Sequence, residues 1–308
     1  MKIAVTGATG FIGRALCNEL AKEHDVTALT RNPEKASVLL DKSIDITRWD
    51  PKTPGSWENR LDGTDAIVNL AGTSLASGRW TEALKDEILN SRLSTIRALI
   101  GAAGNARVRP KVFVASSAVG FYGDRADETV DEESAAGSGF LAEVCRKIEN
   151  ASEEAESLGI RLVVIRTGLV LGAGGGALPK MVQPFKLHLG GWLGSGRQWI
   201  SWISLADEVA AVKFLIENTG LRGPFNLTCP RPVRNRDFFQ TLAAVLEKPC
   251  RLPVPAFALR AMFGHMADEL FLTGQRVYPR RLTEAGFDFK NIDLQETLES
   301  MNIAKERQ

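Results

Sequence analysis

The chain has 308 residues, 44% of them hydrophobic and 24% charged, which is enough for a full α/β core with a subsidiary lobe. The net charge of +1 excludes a strong electrostatic footprint, so neither nucleic acid nor an anionic membrane surface is an expected partner. Four cysteines and three histidines are scattered without Cys-x-x-Cys or metal-ligand spacing, so we expect neither disulfides nor a metal site.

The N-terminus begins directly with a strand pattern. The first strand is predicted from Lys2, which leaves no room for a leader peptide. No apolar run approaches the roughly 18 residues that a membrane span needs. A cytoplasmic protein is therefore expected.

The segment after this strand has the pattern of a dinucleotide site. Glycines at positions 7, 10 and 13 precede Leu16 and Leu20, which have helical spacing. Gly7 permits the tight turn, Gly10 lets backbone N–H groups approach a pyrophosphate, and Gly13 keeps the helix close to the sheet. The helix N-terminus would then hold the phosphates. The cofactor contacts predicted here are Gly7, Thr9, Gly10, Phe11, Ile12 and Gly13.

The end of the second strand, residues 26–30, indicates which nicotinamide cofactor binds. An NAD site usually has Asp or Glu about 20 residues beyond the glycines, where it accepts a hydrogen bond from the ribose 2′-OH. This chain has Arg31 and Lys35 in that region. The planar guanidinium of Arg31 suits a 2′-phosphate, so NADP is predicted. Solvated loop charges are the alternative interpretation of both residues.

Further along, strand and helix patterns alternate, as a parallel doubly wound sheet requires. Strands are predicted over 66–70, 111–117, 161–168 and 224–227, and helices over 91–103, 140–158 and 203–215. Residues 178–196 are aromatic-rich and are expected to form an irregular loop over a substrate cleft.

The predicted fold class is α/β, a Rossmann-type doubly wound parallel sheet with a smaller C-terminal substrate lobe. The NADP-binding domain is assigned to residues 1–172 and 203–228. The substrate lobe is assigned to 173–202 and 229–308.

Several motifs resemble those of the short-chain dehydrogenase/reductase superfamily. They are Thr6–Gly13 (TGATGFIG), Asn69–Gly72, the strand ending at Ser116 and Ser117, and Tyr122-Gly123-Asp124. TGATGFIG is typical of the extended, sugar-nucleotide-modifying branch. The resemblance implies cofactor contacts at Leu70, Ala71, Gly72 and Ser116, and it makes Ser117 and Tyr122 the candidate catalytic residues.

The last third of the chain resembles one subgroup, the nucleoside-diphosphate-sugar epimerase-like proteins with a characteristic C-terminal extension. The matching segments are 194–203, 230–233, 274–279 and 286–289. Ser204 stands where the Trp-Ile-His-x-x-Asp pattern has histidine, which puts a role for that histidine in doubt. The resemblance implies a substrate cleft over the nicotinamide, with plain core packing as the alternative for its two tryptophans. Its predicted residues are Gln198, Trp199, Trp202, Gln275 and Arg276.

The catalytic Tyr-x-x-x-Lys pair of that superfamily is missing. In such a pair the lysine lowers a tyrosine pKa that otherwise lies near 10, and the tyrosine transfers the proton. The residue four after Tyr122 is Ala126, and the residue four after Tyr278 is Leu282. By position, the pair should open the helix at residues 140–147. There Cys145 is a conceivable replacement acid, against the alternative of a small buried hydrophobe.

Two functions stay open at this point. The first is an NADP-dependent oxidoreductase or epimerase with an unorthodox proton donor, acting on a small molecule such as a nucleotide sugar. The second is an NADP-binding sensor or scaffold with little or no turnover, recognised by a protein partner. The missing pair favours the second, and the polar and aromatic residues between 183 and 202 favour the first. A homodimer is also left open.

Overall fold

The computed structural model describes residues 1–303. Within this range the strands are β1 (Lys2–Thr6), β2 (Asp25–Thr30), β3 (Asp45–Arg48), β4 (Ala66–Asn69), β5 (Val112–Ala118), β6 (Thr129–Val130), β7 (Arg161–Thr167), β8 (Leu169–Leu171), β9 (Trp199–Ile200), β10 (Trp202–Ser204), β11 (Gly223–Leu227), β12 (Val233–Arg234) and β13 (Arg276–Val277). The helices are α1 (Phe11–Leu20), α2 (Pro33–Leu39), α3 (Glu82–Asn105), α4 (Phe140–Ser152), α5 (Glu154–Ser157), α6 (Leu178–Lys186), α7 (Leu205–Glu217), α8 (Asn235–Val245), α9 (Ala256–Phe263), α10 (His265–Leu270), α11 (Arg280–Glu284) and α12 (Leu294–Ser300).

The central sheet has seven strands in the order β11-β7-β5-β4-β1-β2-β3. The pairs β3–β2, β2–β1, β1–β4 and β4–β5 are parallel. All four residues of β4 are buried, as expected for a strand covered on both faces. The strand order reverses between β1 and β4, and such sheets bind ligands beyond the carboxyl ends of the strands at this switch point. The predicted α/β doubly wound sheet is confirmed.

The chain divides into two compact units. The first holds Met1–Ser117, Val144–Ile165 and Val209–Phe225, and the second holds Ala118–Glu143, Arg166–Glu208 and the chain from Asn226 onward. The sequence assigned 118–143 and 166–172 to the cofactor domain, whereas here they belong to the second unit. The reason is that β6 in the first of these segments pairs with β13 and β8 in the other pairs with β10, and both partner strands belong to the second unit.

The aromatic-rich segment 178–196 is not wholly irregular, contrary to the sequence prediction. Its first half is α6, which buries Leu178, Val182 and Phe185 at helical spacing. Two prolines obscure this pattern: Pro179 lies in the first turn, where proline is tolerated, and Pro184 lies in the last. Phe185 joins a cluster of buried side chains contributed by α8, α12 and β10.

Ser204 begins α7. Its Oγ accepts a hydrogen bond from the Asp207 backbone N–H at 3.0 Å, which is the interaction of a helix N-cap. The Asp207 carboxylate in turn accepts from the backbone N–H groups of Lys290 and Asn291, at 3.0 and 2.9 Å. Ser204, which replaces the expected histidine, therefore stabilises the start of α7 in the second unit.

Membrane and metal features are sparse among the described residues. No helix in the range 1–303 is both long and apolar enough to cross a bilayer. All four cysteines are free thiols. Glu23, His24 and Glu217 are close enough to share a metal ion, but Glu23 already pairs with Lys213 at 2.7 Å and His24 with Glu217 at 3.0 Å.

Candidate functional site

The glycine loop connects β1 to α1 in the first unit. Gly7 has φ +67°, and a Cβ there would lie 2.7 Å from the Leu70 carbonyl oxygen, so both backbone strain and space require glycine. A Cβ on Gly13 would overlap the Gly7 carbonyl, so α1 packs directly on the turn. The Gly10 N–H donates to the Gly7 carbonyl at 2.9 Å. A side chain at Gly7 or Gly13 would thus disrupt this tight turn.

The N-terminus of α1 is suited to an anion. Its first-turn N–H groups, which include those of Phe11 and Ile12, have no intrahelical acceptor. The first turn contains no acidic residue that would neutralise the positive end of the helix dipole. Gly10 is exposed, and a Cβ there would lie 3.1 Å from the Gly7 carbonyl oxygen, with no other atom of residues 1–303 beyond its chain neighbours within 4 Å. The cradle fits the pyrophosphate of a dinucleotide.

The carboxyl ends of β1, β4 and β5 form one continuous edge, which we call the carboxyl edge. Thr6 pairs with Asn69, and Asn69 pairs with Ala115. Thr6 Oγ1 donates to Asn69 Oδ1 at 2.7 Å, and Asn69 Nδ2 donates to Thr95 Oγ1 at 3.1 Å. These buried bonds fix the point where β4 ends. Three predicted cofactor residues, Leu70, Ala71 and Gly72, directly follow β4 at this edge, and a fourth, Ser116, lies within β5, two residues before its end.

Arg31 directly follows β2 and is exposed. Within residues 1–303 its guanidinium has no hydrogen bond or ion pair. The nearby Glu34 carboxylate pairs with Arg48 at 3.0 Å. Lys35 is exposed as well, and its backbone N–H donates to the Asn32 side chain that caps α2. The residues after β2 thus include two exposed basic side chains, and the guanidinium of Arg31 has no partner within residues 1–303.

Ser117, at the end of β5, has a partner that sequence reasoning missed. Its hydroxyl donates to Glu149 Oε1 at 2.7 Å. Ser117 is 7% exposed and Glu149 is partly buried. Glu149 lies on α4, four residues after the buried Cys145 and therefore on the same helix face. The sequence indicates this partner only through one acidic residue, Glu149, on the helix face that also carries Cys145.

Tyr122 does not have the accessibility of a proton donor, which corrects the sequence prediction. Its side chain is 0% exposed. The hydroxyl donates to Asn226 Oδ1 at 2.7 Å and accepts from Arg166 Nη1 at 2.9 Å. Burial raises the pKa of Tyr122 to about 12. Tyr122 is a buried, fully bonded side chain of the second unit.

The start of α4, where the superfamily pair is expected, carries apolar side chains. The backbone N–H groups of Phe140 and Leu141 donate to the two Glu269 carboxylate oxygens at 3.0 and 3.1 Å. Leu141 and Val144 are buried. Glu269 caps this helix end, and the helix offers no phenol–ammonium pair there.

A second hydroxyl–carboxyl pair lies at the end of β7 and the start of α7. Thr167 Oγ1 donates to Glu208 Oε1 at 2.8 Å. Glu208 is 0% exposed, and its Oε2 has no hydrogen-bond partner among the described residues. Burial raises the pKa of Glu208 to about 8, and the Thr167 hydrogen bond only partly opposes this. Glu208 is therefore mostly protonated at neutral pH.

The second unit contains a cavity of about 660 Å³, which we call the arginine pocket. Its lining residues are Asp124, Ala126, Asp127, Ser195, Gly196, Arg197, Gln198, Arg234, Arg236, Asp237, Leu272 and Gly274. Gln198 has a fixed orientation, since its Nε2 donates to the carbonyls of Leu193 and Phe271 at 3.0 and 2.6 Å. Its Oε1 is buried and has no partner in the described part of the chain. This oxygen can accept a hydrogen bond from a ligand.

Some charged side chains in and around the arginine pocket already contact other side chains of the second unit. The Arg234 guanidinium lies 3.9 Å from the centre of a Trp199 ring and pairs with Asp127 at 2.6 Å. Trp199 Nε1 also donates to Asp127, at 3.1 Å. The Arg197 and Arg236 side chains have no ion pair within residues 1–303. Three aspartates of the lining, Asp124, Asp127 and Asp237, balance its three arginines, so a polar molecule that carries a hydrogen-bond donor fits this lining.

The predicted substrate residues separate into two groups. Gln198 lines the arginine pocket, Trp199 contacts Arg234 and Asp127 of its lining, and Arg276 lies 4.7 Å from a Trp199 ring centre. Gln275 accepts from Ser201 Oγ through its backbone carbonyl at 2.7 Å. The prediction that Trp202 contacts the substrate is corrected. Its side chain is 0% exposed in the core of the second unit, and its Nε1 donates to the Arg231 carbonyl at 3.2 Å. An enclosed indole offers no surface to a ligand.

Comparison with known families agrees with the glycine loop and the sheet order. The model of the NAD dependent epimerase/dehydratase family matches residues 3–227. The chain belongs to this family. A second match, to a domain of unknown function (DUF1731), covers residues 254–301 and accounts for the C-terminal extension.

Relatives within the epimerase family extend over nearly the whole chain. Epimerase family protein Mb2239 of Mycobacterium bovis is 40% identical over 297 residues, 96% of this chain and 96% of its own length. Epimerase family protein SDR39U1 homolog, chloroplastic, of Arabidopsis thaliana is 41% identical over 293 residues, 94% of this chain and 83% of its own. The crystal structure of human epimerase family protein SDR39U1 (isoform2) with NADPH has a TM-score of 0.85 and 33% identity, and it covers 100% of both chains.

Proposed function

We propose that the protein binds NADP(H) at the carboxyl edge and uses it in an oxidoreductase or epimerase reaction on a small molecule. Family membership supports a nicotinamide dinucleotide, and the human relative with NADPH supports the phosphorylated form. The arginine pocket of the second unit has a polar lining of three arginines and three aspartates, which supports a polar ligand, and a nucleotide sugar is the first class to test.

The observation that carries the choice of NADP is Arg31 at the end of β2. The ribose of the adenosine half lies beside this strand end in doubly wound sheets. An unpaired guanidinium there attracts a 2′-phosphate, and the carboxylate of Glu34, three residues further along the chain, is paired with Arg48. NAD would lack the acidic residue that normally accepts a hydrogen bond from its free 2′-OH.

The residues that would hold the cofactor all belong to the first unit. The α1 N-terminus would bind the pyrophosphate, Arg31 and Lys35 the 2′-phosphate, and residues 70–72 with Ser116 the nicotinamide half. When bound, NADP(H) supplies or accepts a hydride. The protein's own contribution is to bind and orient it and to move protons.

The test is a fluorescence titration of NADPH and NADH against wild type and Arg31→Ala. Because a hydrogen bond to a charged group contributes about 1.5–3 kcal/mol, NADPH affinity should fall roughly ten- to a hundredfold in Arg31→Ala while NADH affinity stays unchanged. Arg107→Ala is the matched control, since Arg107 is an exposed arginine that pairs with Asp62 at 2.9 Å and precedes β5. Equal affinity of wild type for the two cofactors would refute the choice of NADP.

A second candidate function is an NADP-occupied sensor or scaffold without turnover, recognised by a protein partner. The apolar start of α4 and the enclosed Tyr122 favour it. Mass spectrometry of compounds that co-purify with native protein distinguishes the two. A small polar metabolite that is consumed on addition of NADPH or NADP⁺ supports the enzyme, and a stoichiometric protein partner released by NADPH supports the sensor. A homodimer and a cytoplasmic location also stay proposals, to be tested by sedimentation and cell fractionation.

A further inference from the structure

We propose that Ser117 and Glu149 form a proton relay that replaces the missing tyrosine–lysine pair. Ser117 would contact the substrate oxygen, and Glu149 would exchange the proton through Ser117. This inference rests on the proposed NADP(H)-dependent function.

Ser117 lies on the nicotinamide side of the proposed cofactor site. Ala115 on β5 is in register with Asn69 on β4, and Asn69 with Thr6 on β1. Ser117 therefore lies two residues beyond that line, at the carboxyl edge and two strands from the glycine loop. Since Arg31 marks the adenosine side at β2, the nicotinamide extends to the opposite side of β1, over β4 and β5. Ser117 is on the side where hydride transfer would occur.

The Ser117 hydroxyl needs a partner to transfer a proton. A serine hydroxyl alone is a weak acid and a weak base, and it needs an adjacent group that accepts or returns its proton. The Ser117 hydroxyl already donates to Glu149 Oε1 at 2.7 Å. The Oγ lone pairs stay available to accept a proton from a substrate hydroxyl. The pair has the geometry of a nucleophile or acid positioned by its base.

The proton balance is simple. In the oxidising direction the substrate O–H bond breaks and its proton moves to Ser117 Oγ, while the original Oγ proton moves to Glu149 Oε1. The two electrons leave the substrate carbon with the hydride, which NADP⁺ accepts. The products are a carbonyl, NADPH and a protonated Glu149, and reduction returns the proton along the same path.

The other candidate proton carriers are buried side chains. Cys145 is buried on α4, and Tyr122 is enclosed in the second unit. Glu208 is fully enclosed, and its bonded oxygen accepts from Thr167. Among these groups, Glu149 is both partly exposed and bonded to a hydroxyl at the end of β5.

The decisive measurement is the ratio of NADP⁺ to NADPH affinity, because the oxidised ring carries a positive charge that the reduced ring lacks. A carboxylate one hydroxyl away from the reacting atoms favours NADP⁺. At low ionic strength Glu149→Gln should shift the ratio several-fold toward NADPH, and Ser117→Ala should not. Glu153→Gln, an exposed glutamate one turn further along, is the control and should leave the ratio unchanged. An unchanged ratio in Glu149→Gln overturns the relay.

Turnover gives a second readout, with diacetyl as a small carbonyl probe and NADPH consumption as the signal. Glu149→Gln and Ser117→Ala should each lower kcat about 10²-fold or more, and the double variant should lose no more than either alone. Ser117→Thr, which keeps the hydroxyl, should retain most activity. Undiminished diacetyl reduction by Glu149→Gln also overturns the relay. If diacetyl is not reduced, the affinity ratio decides, and failure of wild type to bind NADPH refutes the proposed function instead.

Discussion

Glu208 makes the stability of the protein depend on pH in an unusual direction. The carboxyl group is enclosed, one of its oxygens has no partner among the described residues, and burial raises its pKa to about 8. Glu208→Gln keeps the shape and the oxygen that accepts from Thr167, and it removes the ionisation. The variant therefore isolates the effect of charging this group.

The sign and size follow from proton linkage. Between the ordinary glutamate pKa of 4.5 and the raised value of about 8, the folded state keeps the proton and the unfolded state releases it. The free energy of unfolding therefore falls as pH rises through this window, by about 1.4 kcal/mol per unit. The whole window gives an upper limit of roughly 5 kcal/mol, a large share of the 5–15 kcal/mol typical of a domain. The stabilising effect of the neutral group is complete below pH 4.5.

Urea denaturation of wild type and Glu208→Gln at pH 5, 6, 7 and 8 measures this. The two proteins should have similar free energies of unfolding at pH 5, and the variant should be more stable by several kcal/mol at pH 8. Glu154→Gln, an exposed glutamate on α5, serves as the control and should follow wild type. A difference between wild type and Glu208→Gln that does not change with pH would refute the reasoning.

Two other predictions concern the glycine loop and the buried tyrosine. Gly13→Ala should abolish NADPH binding and lower Tm, because its Cβ overlaps the Gly7 carbonyl, whereas Gly101→Ala on α3, with no neighbouring atom within 4 Å, should gain up to about 1 kcal/mol of stability. Thermal unfolding with and without NADPH tests both, and a Gly13→Ala protein that still binds NADPH contradicts the packing argument. Tyr122→Phe should cost about 1–3 kcal/mol of unfolding free energy, because it leaves the buried Asn226 and Arg166 groups without the hydroxyl, and it should leave NADPH affinity unchanged. A loss of NADPH affinity at unchanged stability would return Tyr122 to the candidate site residues.

The cofactor part of the fold could be predicted from sequence because its determinants are local. Gly7, Gly10 and Gly13 lie within seven consecutive residues, and the physical demands on them come from the same turn. Arg31 follows the second strand directly, so its position at the carboxyl end of β2 is fixed once that strand is recognised. Strand and helix periodicity then determines the order of the remaining elements.

The arginine pocket could not be predicted in the same way, because its lining comes from four separate segments, around residues 124–127, 195–198, 234–237 and 272–274. No local pattern states that these segments meet. Trp199 and Trp202 illustrate the limit, since they are three residues apart and equally apolar. Trp199 lies on β9 among arginines, and Trp202 lies on β10 inside the core.

The missing Tyr-x-x-x-Lys pair does not by itself exclude proton transfer. A tyrosine and a lysine four residues apart share one helix face, so sequence spacing alone identifies such a pair. Ser117 and Glu149 lie on a strand and a helix separated by 32 residues, and no fixed spacing connects them. The absence of a helical motif therefore excludes one proton path and leaves open any path built between two elements. For this reason the enzyme stays the first proposal over the sensor, and the NADP⁺ to NADPH affinity ratio of Glu149→Gln is the measurement on which a proton path through Glu149 depends.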